Sequence, residues 1–345
     1  MDKWIVVTGA AGFIGSGVVK FLNDKGLYNL ILVDDIEKTD KWKNLLGKKS
    51  LDLFSRHELF SWLEGRGDQI AAFLHLGACS DTLESDGDFL MQNNFRYTVR
   101  LAEYALKHSI RFIYASSAAT YGKGEEGFCD DHEGLEELKP LNLYGFSKYY
   151  FDLWAKQNGV LDQLVGLKYF NVFGPNENHK GRMASMVYKM VPLVQQEGVI
   201  PLFKSSDPSR FKDGDQRRDF IYTKDAVRMS CAFLENEICG IFNIGSGVAS
   251  SWNELAGAVF KALDKPIKIE YIDMPREMQG QYQNYTCASM GKYNGAMRGA
   301  LLSSTRCVNS PLFAQQEEED RLCQFSLEEG VGDYVKNYLL TGQRW

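Results

Sequence analysis

The sequence predicts an α/β protein, in which a doubly wound parallel sheet carries helices on both faces and joins a smaller lobe. Two observations support this prediction. Short, almost continuously apolar runs alternate with longer amphipathic stretches through the first half of the 345-residue chain, and such runs are typical of parallel strands buried on both faces. The first run passes directly into a glycine-rich turn and a helix, the order expected of a βαβ unit.

Five apolar runs are predicted to be strands, and the stretches between them are predicted to be helices. The strands are WIVVTG, LILVDD, AAFLHLGA, RFIYASS and LVGLKYF. The helices include GSGVVKFLNDKG, DFLMQNNFRYTVRLAEYALKHS and YGFSKYYFDLWAKQNG. Because helices separate the strands, we expect the strands to lie parallel in one sheet.

The second half of the chain is less regular and predicts a second lobe. Longer loops follow residue 172, before DFIYTKDAVRMSCAFLEN, GIFNIGSG and WNELAGAVFKALDK. We predict a first domain over 1–171 with parts of 216–245. A smaller α/β lobe, interleaved with it in sequence, is predicted over 172–215 and 246–345. Residues 290–323 show little periodicity and contain the charge run QQEEEDR, so we predict a loop there.

Composition and charge limit the class of protein. A chain with 44% hydrophobic residues can bury one large domain or two lobes. Its net charge of −6 argues against a nucleic-acid or membrane-surface partner. We see no signal-peptide pattern, no membrane-length apolar run and no CxxC pair among the seven Cys. We therefore expect a reduced, cytoplasmic protein without a metal site.

The stretch TGAAGFIG predicts a dinucleotide site. It places Gly9, Gly12 and Gly15 between the first strand and an amphipathic helix. A lone glycine pattern is a weak signal, but this position is that of a Rossmann fingerprint. Glycine lets the backbone approach a pyrophosphate, and the helix N-terminus offers N–H groups to it. Asp34, which ends the second strand, can accept hydrogen bonds from the adenosine ribose.

The choice between NAD and NADP depends on charges near the second strand. Asp34 and Asp35 would repel a 2′-phosphate, whereas Lys41 and Arg56 would attract one if they fold over the adenosine. We predict NADP, with NAD as the alternative, bound tightly with one molecule per subunit. Further candidate cofactor-binding residues are Phe13, Ile14, Asp52, Leu76, Gly77, Ala78, Cys79, Ser80 and Asn93.

The stretch YGFSK predicts a catalytic pair. Tyr144 and Lys148 lie four residues apart on one helix face, a spacing that is common and often structural. Here, however, the strand RFIYASS delivers Ser117 to the same edge of the sheet. A nearby ammonium lowers the pKa of a phenol, so Lys148 can activate Tyr144 and hold the nicotinamide ribose, while Ser117 orients a hydroxyl. These groups fit hydride transfer between an alcohol carbon and NAD(P).

TGxxGFIG, the serine, YxxxK and KYFNVFGP resemble the extended short-chain dehydrogenase/reductase family, the NAD-dependent epimerases and dehydratases that act mainly on nucleotide sugars. The resemblance covers about residues 3–290 and resumes at FSLEEGVGDYVKNYL. Dehydratases of the family carry acidic residues soon after the catalytic serine, whereas this chain has SSAATYG. The resemblance therefore favours an epimerase. LHLGACSDT, YASSAATYG and NVFGPNENHKGRMASM are similar to the family's epimerases of ADP-heptoses.

The resemblance implies an ADP-heptose substrate, epimerised at C6″ as a precursor of lipopolysaccharide, and makes Lys180 a second acid/base facing Tyr144. The sugar carbon is oxidised to a ketone and then reduced on its other face, so the hydroxyl oxygen occupies a different position in each isomer. One proton-carrying group for each position would meet this requirement. The alternative is that Lys180 only neutralises the diphosphate. Tyr144, Lys148, Val172 and Lys180 are also expected to contact the cofactor.

The resemblance further implies a set of substrate contacts and a homo-oligomer, with a pentamer suggested. The contacts are Ser117, Asn171, Val172, Arg182, Lys189, Phe203, Lys204, Ser205, Ser206, Arg218 and Tyr282. Arg218 would bind the diphosphate by paired hydrogen bonds, unless it is a solvated charge offset by Asp215 and Asp219. His179 is expected to order its loop.

Two other functions stay open at this point. One is an epimerase or dehydratase of another nucleotide sugar, which the HKG-x-MAS element disfavours. The other is a non-catalytic dinucleotide-binding sensor, which would need the glycines but not the Ser, Tyr and Lys.

Overall fold

The structure is a computed structural model that describes residues 3–275, 282–303 and 323–345. The strands are β1 (Trp4–Thr8), β2 (Leu30–Val33), β3 (Asp52–Phe54), β4 (Ile70–His75), β5 (Arg111–Ser117), β6 (Leu164–Tyr169), β7 (Asn171–Phe173), β8 (Ile200–Phe203), β9 (Arg217–Tyr222), β10 (Gly240–Ile244), β11 (Ala249–Ser251) and β12 (Ile269–Ile272). The helices are α1 (Phe13–Asp24), α2 (Leu59–Leu63), α3 (Gly87–Leu90), α4 (Tyr97–Lys107), α5 (Leu143–Gln157), α6 (Met186–Gln196), α7 (Thr223–Cys231), α8 (Trp252–Ala262), α9 (Gly291–Ser303) and α10 (Leu327–Tyr334).

Seven of these strands form one parallel sheet in the order β10-β6-β5-β4-β1-β2-β3. The chain leaves β1 toward β2 and β3, then returns to place β4 on the other side of β1. The strand order therefore reverses between β1 and β4, and loops from the two strands diverge there. In doubly wound sheets this switch point opens a crevice at the carboxyl ends of the strands. The predicted doubly wound parallel sheet is confirmed.

Helices cover both faces of this sheet. On one face α1 and α7 pack together, with Val18 and Val227 buried in a common core. On the other face α4 and α5 bury Leu101 and Phe151 in a second core. Burial on both faces explains why the strands are almost continuously apolar.

A smaller lobe follows, built around a third core. The sheet β11-β9-β7 and the parallel pair β12-β8 supply its strands. Helices α6, α8 and α10 pack around them and bury Val191, Phe260 and Tyr334. The middle strand of its sheet, β9, lies within residues 216–245, the range that was predicted to contribute to the first domain. Helix α9, from residues predicted for the smaller lobe, packs instead beside β10, and its Tyr293 ring lies 5.8 Å from the ring of Phe233, which follows α7.

The prediction of a loop was wrong for residues 291–303, which form α9. Tyr293, Ala296 and Met297 lie at helical spacing and pack against the core. Gly295 and Gly299 dilute this pattern, which is why the sequence shows little periodicity. The rest of the predicted loop, residues 304–322, lies outside the described residues. No helix in the described part of the chain is long and apolar enough to cross a membrane.

Candidate active site

A cavity of about 960 Å³ lies at the carboxyl edge of the large sheet and is lined by residues of both lobes. The turn after β1 and the loops after β4 and β5 form one wall. Helix α5, the segment 171–187 and the start of α8 form the other walls. The predicted residues that line it are Gly9, Gly12, Phe13, Ile14, Gly15, Asp34, Lys41, Leu76, Gly77, Ala78, Cys79, Ser80, Ser117, Tyr144, Lys148, Asn171, Val172, Lys180, Arg182 and Lys189.

The glycine turn leaves no room for side chains. Gly9 has φ +67°, and a Cβ there would lie 2.7 Å from the Cα atom of Gly77. A Cβ on Gly15 would collide with the carbonyl oxygen of Gly9. Helix α1 begins after Gly12, which offers no side-chain cap, so its first N–H groups point to the cavity edge without a side-chain partner there. This cradle fits the pyrophosphate of a dinucleotide.

The acidic pair after β2 is already engaged within the protein. Asp34 accepts a hydrogen bond from the main-chain N–H of Ala11 at 2.8 Å and pairs with Lys41 at 2.9 Å. Asp35 pairs with the Nε atom of Arg56 at 2.7 Å. Asp35 and Arg56 line a neighbouring cavity of about 630 Å³. Each predicted cation therefore lies beside one of the two acids.

Two predicted cofactor residues line neither cavity. Asp52 begins β3 and pairs in register with Ile31, so it lies away from the carboxyl edge. Asn93 donates a hydrogen bond to Asn94. Asn94 itself holds the main chain of Cys79 through two hydrogen bonds of 2.9 Å. It lies in a widened helical turn, Met91–Arg96, which sequence periodicity did not reveal.

Ser117, Tyr144 and Lys148 come together at the end of β5. All three side chains line the cavity there. The Nζ atom of Lys148 donates to the carbonyl oxygen of Ala115 at 2.8 Å. Burial raises the pKa of Tyr144, and the Ser117 side chain opposes this shift. Burial lowers the pKa of Lys148 to about 8, against the attraction of Asp152. The group can orient a hydroxyl and exchange its proton.

Lys180 reaches the same cavity from the loop before α6. Its Nζ atom lies 5.2 Å from the centroid of the Phe13 ring, and no ion pair within 4 Å involves it in the described part of the chain. Burial lowers its pKa. His179 lies 3.4 Å from the buried Asn44 side chain, in line with its expected role in ordering the loop. Gly181, with φ +52°, turns the chain toward Ser185, the cap of α6.

The predicted substrate residues fall into two groups. Asn171, Val172, Arg182 and Lys189 line the cavity, although Arg182 is exposed and pairs with Asp81 at 2.5 Å. The second group does not line the cavity. It comprises Phe203, Lys204, Ser205, Ser206, Arg218 and Tyr282. Within it, the exposed Lys204 pairs with Asp273, and the Phe203 and Tyr282 rings are in contact.

Arg218 is buried, so the alternative of a solvated charge is wrong. Only 6% of it is exposed, and its guanidinium lies 5.0 Å from the Tyr282 ring and 5.8 Å from the Trp252 ring. Among the described residues no carboxylate lies within 4 Å of it. The adjacent Asp219 faces the opposite way and accepts hydrogen bonds from Ser246.

Trp252 is a site residue that the sequence did not indicate. It lines the cavity and donates a hydrogen bond from Nε1 to the hydroxyl oxygen of Tyr282 at 2.8 Å. It begins α8, far along the chain from the motifs. Only the approach of the smaller lobe brings it to the sheet edge.

Comparisons with known proteins identify the family of the chain. The pattern of the NAD dependent epimerase/dehydratase family matches residues 5–245. An ADP-L-glycero-D-manno-heptose-6-epimerase of Nitratidesulfovibrio vulgaris is 45% identical over 97% of each chain. One of Fusobacterium nucleatum is 44% identical over 97% of this chain and 98% of its own. The crystal structure of the Helicobacter pylori ADP-L-glycero-D-manno-heptose-6-epimerase superposes with a TM-score of 0.75 at 24% identity, covering 97% of this chain and 96% of its own. The chain belongs to the NAD dependent epimerase/dehydratase family.

Proposed function

We propose that the chain interconverts ADP-D-glycero-D-manno-heptose and ADP-L-glycero-D-manno-heptose at C6″. The observation that carries this proposal is that Tyr144 and Lys180 open on one cavity from different walls. An epimerase that oxidises and re-reduces one carbon needs a proton-carrying group for each position of the hydroxyl. The names of the two relatives support the choice of sugar.

In the proposed mechanism the chain's own groups move the protons. The glycine turn and Lys148 would hold a dinucleotide, and its nicotinamide would supply a hydride acceptor for C6″ and a hydride donor for the opposite face of the ketone. Tyr144 takes the hydroxyl proton of one isomer, while Ser117 orients that hydroxyl and the Lys148 cation favours the phenolate. The Lys180 ammonium then donates a proton to the ketone oxygen in its second position. The reverse direction exchanges the two roles.

We further propose NADP as the cofactor. Each oxygen of Asp34 already accepts a hydrogen bond, one from Ala11 and one from Lys41. Asp35 is likewise paired with Arg56. Because Asp34 and Asp35 are paired with cations, they repel a 2′-phosphate less than free carboxylates would. They also hold Lys41 and Arg56 beside the part of the cavity where the adenosine ribose would lie.

Arg218 is proposed to bind the diphosphate of the sugar nucleotide. Among the described residues no carboxylate pairs with this buried guanidinium, which lies beside aromatic rings and donates to a main-chain oxygen, and such a charge is costly to bury unless an anion joins it. Trp252 lines the main cavity and its ring lies 5.8 Å from the Arg218 guanidinium, so a movement of this ring would bring the guanidinium into reach of a bound diphosphate.

The test is incubation of the protein with pure ADP-D-glycero-D-manno-heptose, without added cofactor, followed by NMR of the C6″ configuration. We expect a mixture of both isomers, because a hydride returned in every cycle requires no exchange of cofactor. Tyr144→Phe is the matched negative control. If the C6″ configuration stays unchanged, and a UDP-sugar is epimerised in a parallel incubation, the protein is an epimerase of another nucleotide sugar and the heptose is rejected as its substrate.

A further inference from the structure

The loop that carries Lys180 is closed by a buried carboxylate. Glu177 is fully buried, and its Oε2 atom accepts a hydrogen bond from the N–H of Ser185 at 2.5 Å. Its Oε1 atom accepts from the Ser185 hydroxyl at 2.6 Å and from the N–H of Gly174 at 3.4 Å. The Glu177 side chain thus connects Gly174, at the start of the loop, to Ser185, the N-cap of α6. The carbonyl oxygen of Glu177 also accepts the N–H of Lys180 at 2.9 Å.

The same carboxylate acts on the charge of Lys180. Burial lowers the pKa of Lys180, the Glu177 carboxylate opposes this shift, and Lys189 adds to it. The Lys180 ammonium has the Phe13 ring beside it rather than a close anion. Burial raises the pKa of Glu177 itself, and the hydrogen bonds from Ser185 and the charge of Lys180 oppose that shift.

The other charged or titratable groups around the loop do not replace the Glu177 carboxylate. The cationic or titratable ones are Lys41, His179, Arg182, Lys189, Tyr334 and Arg344. Across the cavity stand Tyr144 and Lys148. The nearby acids Asp34 and Asp81 are paired with Lys41 and Arg182. Within the described residues, Glu177 is therefore the carboxylate whose charge opposes deprotonation of Lys180.

We propose that Glu177 is a positioning residue for Lys180: its carboxylate keeps the loop closed through Ser185 and Gly174, and its charge favours the ammonium form of Lys180. This inference rests on the proposed role of Lys180 as the second acid/base. Loss of the charge would let Lys180 release its proton at lower pH. Loss of the tie would move Lys180 away from the sugar hydroxyl. Neither effect requires Glu177 to touch the substrate.

The charge is tested with Glu177→Gln, which keeps the shape of the side chain. Competitive acetylation of the holoenzyme across a pH series, measured by peptide mass spectrometry, gives a titration midpoint for each lysine. We expect the Lys180 midpoint to fall by about one pH unit or more, while that of the exposed Lys204 stays unchanged. The matched control is Glu329→Gln, which alters the carboxylate at the Ser326 cap of α10 and should leave Lys180 unshifted. An unshifted Lys180 in Glu177→Gln overturns the inference.

The tie is tested with Glu177→Asp, which also serves if the glutamine variant does not fold. The shorter side chain keeps the charge but cannot span from Gly174 to Ser185. We expect kcat to fall by at least about tenfold, while the titration midpoint of Lys180 and the bound cofactor are retained. A kcat equal to that of the wild type would overturn the positioning role.

The variant Lys180→Met distinguishes the role proposed for Lys180 from the role proposed for Glu177. Full turnover in Lys180→Met would reject Lys180 as an acid/base. If Lys180→Met is inactive but the titration midpoint of Lys180 is unchanged in Glu177→Gln, only the role of Glu177 is rejected.

Discussion

The Nζ atom of Lys168 lies 3.5 Å from the Oδ2 atom of Asp152, and both side chains are fully buried beneath the strand that ends at Ser117. Asp152 also accepts hydrogen bonds from Tyr114 and Ser116, at 2.9 and 2.8 Å. Asp152 follows Tyr144 and Lys148 at four-residue steps along α5, so the three side chains share one face of that helix. Asp152 is the member of this face that pairs with Lys168 in the core.

Lys168→Met should destabilise the protein by about 3–5 kcal/mol, because it leaves the Asp152 carboxylate buried without its cation. Lys168 also donates to Thr120, whose hydroxyl donates to the main-chain oxygen of Ser117, so kcat should fall as well. Urea unfolding measures the first effect. The double variant Asp152→Asn with Lys168→Met should recover part of the stability. A single-variant loss below about 1 kcal/mol would show that the pair is not coupled.

Turnover should fall as the pH rises through about 8. Burial lowers the pKa of Lys148 to about 8, and the Asp152 carboxylate opposes that shift. Lys148 is a cation below this pH and is neutral above it, so the support for the Tyr144 phenolate is lost on the alkaline side. Asp152→Asn removes the opposing charge and should move the alkaline limb of kcat to lower pH. A limb that moves to higher pH, or stays in place, would contradict this assignment.

The predicted residues that the structure brings to the cavity are mainly those whose positions are set by local chain geometry. Gly9 and Gly15 allow close backbone approach within one turn, and Tyr144 and Lys148 share a helix face whatever the rest of the fold does. Trp252 and Asn94 depend on contacts between distant segments, which one sequence does not encode in a local pattern. Asp52 was predicted to contact the cofactor, but it begins the three-residue strand β3 instead of following a strand.

The same distinction applies to the elements of the fold. The apolar strands of the large sheet are buried on both faces, and so their pattern is unambiguous. Helix α9 buries one narrow stripe around Tyr293 and carries glycines elsewhere, so its sequence resembles that of a loop. The burial of Arg218 was also beyond local reasoning, because its ring partners come from α8 and from the segment that follows β12.

Lys41→Glu should weaken NADP binding at least about tenfold more than NAD binding, a difference of about 1.4 kcal/mol. The change removes a cation and adds an anion beside Asp34, and only NADP carries a phosphate to be repelled. Isothermal titration of cofactor-stripped protein with each nucleotide gives the two affinities. Lys43→Glu is the matched control, since Lys43 is exposed and pairs with Asp40. Equal losses for NADP and NAD would remove the proposed 2′-phosphate site.

Lys189→Met provides the contrast needed for Lys180. The Nζ atom of Lys189 lies near the cavity but donates to the main-chain oxygen of Arg182. A cation in this position can help to bind a diphosphate without taking part in proton transfer. We therefore expect Lys189→Met to raise KM and to keep kcat close to that of the wild type.

Lys180→Met should abolish epimerisation while substrate affinity stays within about tenfold, or ~1.4 kcal/mol. Tyr144→Phe should do the same, because each variant keeps only one of the two proton-carrying groups. The two should fail differently: each should still oxidise or reduce one isomer better than the other. An aldehyde analogue of the nucleotide sugar would expose this residual hydride transfer. If Lys180 only pairs with the diphosphate, Lys180→Met should behave like Lys189→Met, with a raised KM and turnover at saturation nearly intact. That result would reduce Lys180 to an anchor for the substrate and leave Tyr144 to serve both faces of the ketone.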